Sequence, residues 1–231
     1  MTPPVVVTIA GSDSGGAAGI AADLTTFAAL GVHGACVVTA VTAQDTTGVR
    51  AVHPVPLDVV AAQLDAVLED LDPAAVKTGM LATPEVVRLV AERCADRLLV
   101  VDPVVVATSG AVLASEEVVR AYREHLLPVA TVSTPNAEEH DALGRPDLPT
   151  VLVTRGGDIP TTNDHGTGCT HSAALASYLA LGDDLPTAAA RADAFVARQL
   201  LVSQHWRLGR GRGPVAHVHP STTPTHRGAP A

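Results

Sequence analysis

Aromatic residues are nearly missing from this chain: one Trp, two Tyr and two Phe make up 2% of 231 residues. The core must therefore be assembled from Val, Leu and Ala. Apolar residues still reach 47%, which suits a parallel sheet buried between helices, whose strands read as Val-rich runs. Cysteine is scarce too. Cys36, Cys94 and Cys169 stand far apart without CxxC spacing, which excludes a disulfide framework or a structural zinc site and fits a reducing cytoplasm. Positive charge is also short. The net charge is −9 and LGRGRG is the one basic cluster, so no nucleic-acid surface is expected and small molecules are the expected partners. Long apolar runs are absent, and the opening MTPPVVVTIAGS is too short for a signal or a membrane span. The expectation is a cytoplasmic protein with no membrane partner.

A length of 231 residues fits one large α/β domain, here placed at 1–218, with the Pro/Thr/Gly-rich stretch 219–231 expected to be disordered. Runs at 5–10, 35–41, 74–79, 97–103, 130–135 and 150–156 read as buried strands. Segments 21–31, 57–71, 83–96 and 115–127 carry apolar residues at helical spacing, and TPEVV and SEEV open with capping residues and early acids. Strands alternating with helices predict a doubly wound, mostly parallel sheet covered on both faces. No internal repeat is present. His205, His217, His219 and His226 read as scattered imidazoles rather than a metal site.

In such a sheet ligands bind beyond the carboxyl ends of the strands, and the unusual residues of this chain fall there. GTGCT (166–170) opens an alanine-rich helix. Its glycines would let the unpaired N–H groups of the first turn wrap an anion, although an ordinary glycine turn fits as well. Cys169 falls in that turn, where a lowered thiol pKa is expected to make it a base or nucleophile; the alternative is a small buried hydrophobe. GSDSGGAAG after the first strand matches neither GxGxxG nor GxxxxGK[ST]. Gln44 in TAQDT offers a donor and an acceptor from one amide, as a heteroaromatic edge requires. Asp102 ends the most apolar strand, where a carboxylate has no packing value, and points to a metal or phosphate role. Asn136 and Glu139 could hold Mg²⁺ through water, but their spacing reads better as a capping box.

The order of these motifs carries more than any one of them. GSDSGGAAGIAADLTTFAALGVHG, VTAVTAQDTTGV, VKTGML, VVDPVVVATSG, TPNAEE, HGTGCTHSAA and the closing GRGRGPVAH together resemble the hydroxymethylpyrimidine and phosphomethylpyrimidine kinases of thiamine biosynthesis, from about Val5 to His217. The resemblance implies a ribokinase-like three-layer αβα sandwich and an ATP- and Mg²⁺-dependent kinase, a homodimer by family habit, that phosphorylates an aminopyrimidine and then its monophosphate. It implies Cys169 as the base, with Gly166, Thr167 and Gly168 forming the anion hole. Gln44 would read the pyrimidine edge, with Gly11, Ala18, Asp23, Met80 and Val104 lining the same pocket. Asp102, Asn136, Glu139, Thr154 and Arg155 would serve the nucleotide, with Asp102 and Glu139 on the metal.

The chain also departs from that pattern. Ala17 replaces a glycine of the first loop and is expected to restrict it. Asp45 stands where Asn is usual, Val105 where Met is, and Thr108 and Arg155 where Lys is. Two segments on the nucleotide side, 137–150 and 158–165, are short for the family. Two alternatives follow from this: a protein that binds the pyrimidine without phosphotransfer, and a kinase acting on a pyridoxine-type ring.

Overall fold

The computed structural model describes residues 2–106, 110–111, 113–148, 150–154 and 159–217. The tail expected at 219–231 therefore lies outside the described residues, as do Thr108 and Arg155.

Five strands form one parallel sheet: β1 Val5–Ala10, β2 His33–Val38, β5 Ala75–Thr78, β6 Leu99–Val101 and β7 Val132–Ser133, in the order β2-β1-β5-β6-β7. Successive side chains on each strand face opposite layers. Val7, Ile9, Val76 and Val101 pack with α2 Leu57–Leu71, α3 Pro84–Cys94 and α4 Glu116–Ala121. Val6, Ala75, Val100 and Val132 pack against α1 Gly19–Leu30, α6 Thr167–Ala180 and α7 Leu185–Ser203. The three-layer expectation from the sequence holds. The predicted caps hold as well: Thr83 accepts from Val86 N with Pro84 at the first helical position, and Ser115 accepts from Val118 N.

Three segments differ from the sequence reading. The run 35–41 is not one strand. Thr39 donates its hydroxyl to Met80 O at 2.6 Å and ends β2, after which β3 Ala40–Asp45 pairs antiparallel with β4 Gly48–Pro54 as a separate hairpin. Its tip is closed by Asp45, whose carboxylate accepts from Thr47 N and Thr47 Oγ1, a local turn bond that aspartate supplies as well as asparagine. Segment 115–127 is not one regular helix either. After Ala121 it widens over Tyr122–Leu126 and tightens over Leu127–Val129, where Pro128 has no N–H for a helical bond. The expected strand at 150–156 is reduced, among described residues, to a parallel bridge from Val151 to Ser133. The chain still runs beside β7 there, with Ser133 N bonded to Thr150 O and Leu152 N to Ser133 O.

No described helix is long and apolar enough to cross a membrane.

Candidate active site

One pocket opens beyond the carboxyl ends of the parallel strands, between the hairpin and the mouth of α6. Gly11 and Ala18 reach it from the β1–α1 loop, Gln44 from β3, Met80 from the end of β5, and Asp102 and Val104 from the end of β6; Asn136, Glu139 and Thr154 lie across it, and Gly166, Gly168 and Cys169 close it. Most of the residues singled out in the sequence thus meet in one place. Asp23 and Thr167 do not line it. Asp23 lies fully buried on α1, and Thr167 spends its hydroxyl on Asp164 O.

The first loop is shaped by Asp13. Its carboxylate accepts from the backbone N–H groups of Gly15, Ala17 and Ala18 at 2.8–3.0 Å, winding GSDSGGAAG around one side chain. The left-handed residues of this loop are Gly16 and Gly19. Ala17 is not among the left-handed residues, so the expected restriction from alanine at this position does not arise. The carbonyl of Ala17 presses on Gly166, the left-handed cap of α6, where a Cβ would collide with it. By helix geometry the N–H groups of Gly168 and Cys169 have no carbonyl one turn back, so this mouth can receive an anion.

Beneath the mouth sits Lys77, the only lysine in the chain. It stands on β5 and is wholly buried. Its ammonium lies 2.9 Å from both oxygens of Asp23 and 3.9 Å from Asp102 Oδ2. Thr8 donates to Asp23 at 2.6 Å, and Ser172 to Asp102 at 2.9 Å. Burial by itself pushes the ammonium down, but the carboxylates of Asp23 and, to a lesser degree, Asp102 outweigh it and hold Lys77 above its ordinary value. It stays charged. The clue in the sequence was a lone lysine inside an apolar strand run, which motif reading passed over.

The Cys169 thiol departs from its expectation. Burial, the largest influence, pushes it up to about 12, Asp102 and Asp23 push the same way, and Lys77 and the Gly19 backbone only partly oppose them. The helix mouth does not make it a thiolate, because desolvation and two carboxylates outweigh one ammonium and the helix amides.

Asn136 and Glu139 form the capping box that their spacing favoured, at the start of α5 Ala137–Ala142: Asn136 Oδ1 accepts from Glu139 N and Glu139 Oε2 from Asn136 N, both at 2.9 Å. The same Glu139 reaches the pocket. Burial, then repulsion from Asp102, pushes its carboxyl up to about 7. A carboxyl raised by a neighbouring carboxylate fits a divalent cation held mainly through water. No group of three or more His, Cys, Asp and Glu able to hold a metal is present among the described residues.

Known proteins resemble this chain along most of its length. The profile of the phosphomethylpyrimidine kinase family matches residues 13–151 and 149–216. A Rhizobium meliloti protein named hydroxymethylpyrimidine/phosphomethylpyrimidine kinase is 43% identical over 258 residues, covering 93% of this chain and 97% of that protein. That alignment is longer than the chain itself, so the relative carries residues without a counterpart here. Among solved structures, the Staphylococcus aureus pyridoxal kinase in complex with pyridoxal superposes with a TM-score of 0.82 at 32% identity, covering 94% of each chain. The phosphomethylpyrimidine kinase of Clostridium difficile gives 0.73 at 34% identity, covering 84% of this chain and 98% of that one.

The buried pair under the site yields a stability prediction. Lys77→Met leaves Asp23 buried without its counter-charge and is expected to cost about 3–5 kcal/mol in urea denaturation. Adding Asp23→Leu should recover most of that loss. A cost below about 1 kcal/mol for Lys77→Met would show that the ammonium does not hold this part of the fold.

Proposed function

The chain belongs to the phosphomethylpyrimidine kinase family, and from that premise we propose that its pocket transfers the γ-phosphoryl group of ATP to the hydroxymethyl oxygen of 4-amino-5-hydroxymethyl-2-methylpyrimidine, and then a second phosphoryl group to the monophosphate. The observation that carries this reading is the convergence of Gln44, the α6 mouth with Cys169, and the Asp102–Glu139 pair on one pocket. Gln44 holds the ring edge. The Cys169 thiol first gives its own proton to solvent; the resulting thiolate, steadied by Lys77, then takes the hydroxymethyl proton as the oxygen attacks. The N–H groups of Gly168 and Cys169, at the positive end of α6, receive the charge of the transferring group. Asp102 and Glu139 would hold Mg²⁺, which neutralises phosphate charge and the local carboxylate repulsion when bound.

Neither alternative raised from the sequence is favoured. A relative named for the pyrimidine kinase is 43% identical over 93% of this chain, and retention of Cys169 beside Lys77 has no use in a protein that only binds. We further propose a homodimer. It is supported by large apolar side chains left exposed, Val41 and Val52 on the hairpin and Leu57 and Val59 on α2, which a second chain could cover in part. Light scattering should give the mass of two chains for the wild type and of one for Val41→Asp; a wild-type monomer would contradict the proposal.

Cys169→Ala is expected to lower kcat by roughly 10²–10⁴-fold in a coupled assay of pyrimidine-dependent ADP release, with pyrimidine affinity in a calorimeter little changed. Equal turnover would remove Cys169 from the mechanism.

The cation proposal has its own readout. Glu139 in the folded protein titrates at about 7, above its ordinary 4.5, so between these values the folded state keeps a proton that the unfolded state has released. Its stabilisation is complete below about 4.5 and is lost as pH rises towards 7. Without Mg²⁺, Glu139→Gln should therefore gain in Tm relative to wild type as pH goes from 5 to 8. Adding Mg²⁺ at pH 8 should raise Tm in the wild type more than in the variant. Parallel behaviour of the two proteins would remove Glu139 from the cation site.

A further inference from the structure

His165 stands one residue before the cap of α6, and its Nε2 faces two groups at once. Asp13 Oδ2 lies 3.3 Å away, and the atom placed as the Gln44 amide nitrogen lies 2.9 Å away. These contacts make opposite demands on one ring nitrogen. Burial pushes the Asp13 carboxyl up, but His165 and the N–H groups of Gly15 and Ala18 outweigh it and hold Asp13 below its ordinary value, so it is an anion that can only accept. Nε2 must then carry a hydrogen, whether the ring is neutral or charged. An amide NH₂ at 2.9 Å would set donor against donor. The oxygen and nitrogen of a glutamine amide exchange places by a half-turn about the last side-chain bond, and the hydrogen-bond network decides between them.

We infer that Gln44 turns its carbonyl oxygen to His165 and its NH₂ group to the pocket, so that His165, fixed by Asp13, selects which half of the amide meets the substrate. Both partners are held for this. Ser14 Oγ bonds the backbone N–H and C=O of Gln44 at 2.8 and 2.6 Å. The backbone of His165 is bonded to Gly213 O and Val215 N at 3.0 Å. A donor facing the pocket asks the ligand for an acceptor lone pair, which a ring nitrogen has and an amino group lacks. The substrate half of this inference rests on the pyrimidine reading: Gln44 contacts the ring nitrogen beside the amino-bearing carbon, and His165 is a specificity-determining positioning residue.

The test compares two analogues of the aminopyrimidine by calorimetry, one with C–H in place of that ring nitrogen and one with hydrogen in place of the amino group. In the wild type the C–H analogue should lose about tenfold or more in affinity, since it leaves a buried donor unpaired, and the analogue without the amino group should lose less. His165→Ala should close the gap between the two. His165→Gln, which keeps an N–H at the same reach, should reopen it. A larger loss for the analogue without the amino group, or a gap indifferent to His165→Ala, overturns the assignment. Long-range proton–nitrogen NMR of the unliganded protein reads the imidazole independently, and a bare Nε2 overturns the assignment whatever binds. If the wild type fails to bind the parent pyrimidine, the functional reading falls, and the substrate half of this inference falls with it.

Discussion

A buried ammonium is expensive, and the Lys77 charge is tolerated only because Asp23 and Asp102 face it across about 3–4 Å. That constraint ties together the parts that make the site. Asp23 belongs to α1, Lys77 to the middle of the sheet, Asp102 to the end of β6, and Ser172, which orients Asp102, to α6. Four elements distant in sequence are thus pinned to one charge, directly beneath the turn that carries Cys169. The same cluster sets the electrostatics of the thiol. One cation among two carboxylates disfavours a thiolate and favours a further positive charge.

The second constraint is backbone proximity. Gly166 lets the first loop lie against the cap of α6. The chain at 209–213 crosses from the hairpin to the segment before α6: Thr46 Oγ1 accepts from Arg210 N and Gly211 N, Arg212 pairs with Asp164, and Gly213 packs on Asn163. The closing GRGRGP segment therefore joins the part of the site that would read the ring to the part that would receive the phosphoryl group.

Much of this was legible in the sequence, and the exceptions have physical causes. Helix α2 appears where its periodicity placed it, and the strands from 5 and 74 because unbroken apolar runs between breakers leave few choices. The hairpin was missed because Val41 and Val52 are apolar yet exposed, so the 35–41 run looked like one buried strand. Cys169 was found by position, but the direction of its pKa was misjudged, since helix-end amides are visible in a sequence and the burial and carboxylates around a thiol are not. Lys77 and His165 went unweighed because each acts through a partner over 50 or 100 residues away, which spacing along the chain does not reveal.

The family profile matches in two pieces that meet at 149–151, at the end of the segment 137–150 on the nucleotide side. The most direct test is phosphorus NMR of the wild-type protein with Mg²⁺, ATP and 4-amino-5-hydroxymethyl-2-methylpyrimidine. The account predicts a pyrimidine monophosphate signal followed by a diphosphate signal as ATP is consumed. A pyrimidine that binds but acquires no phosphate would contradict it.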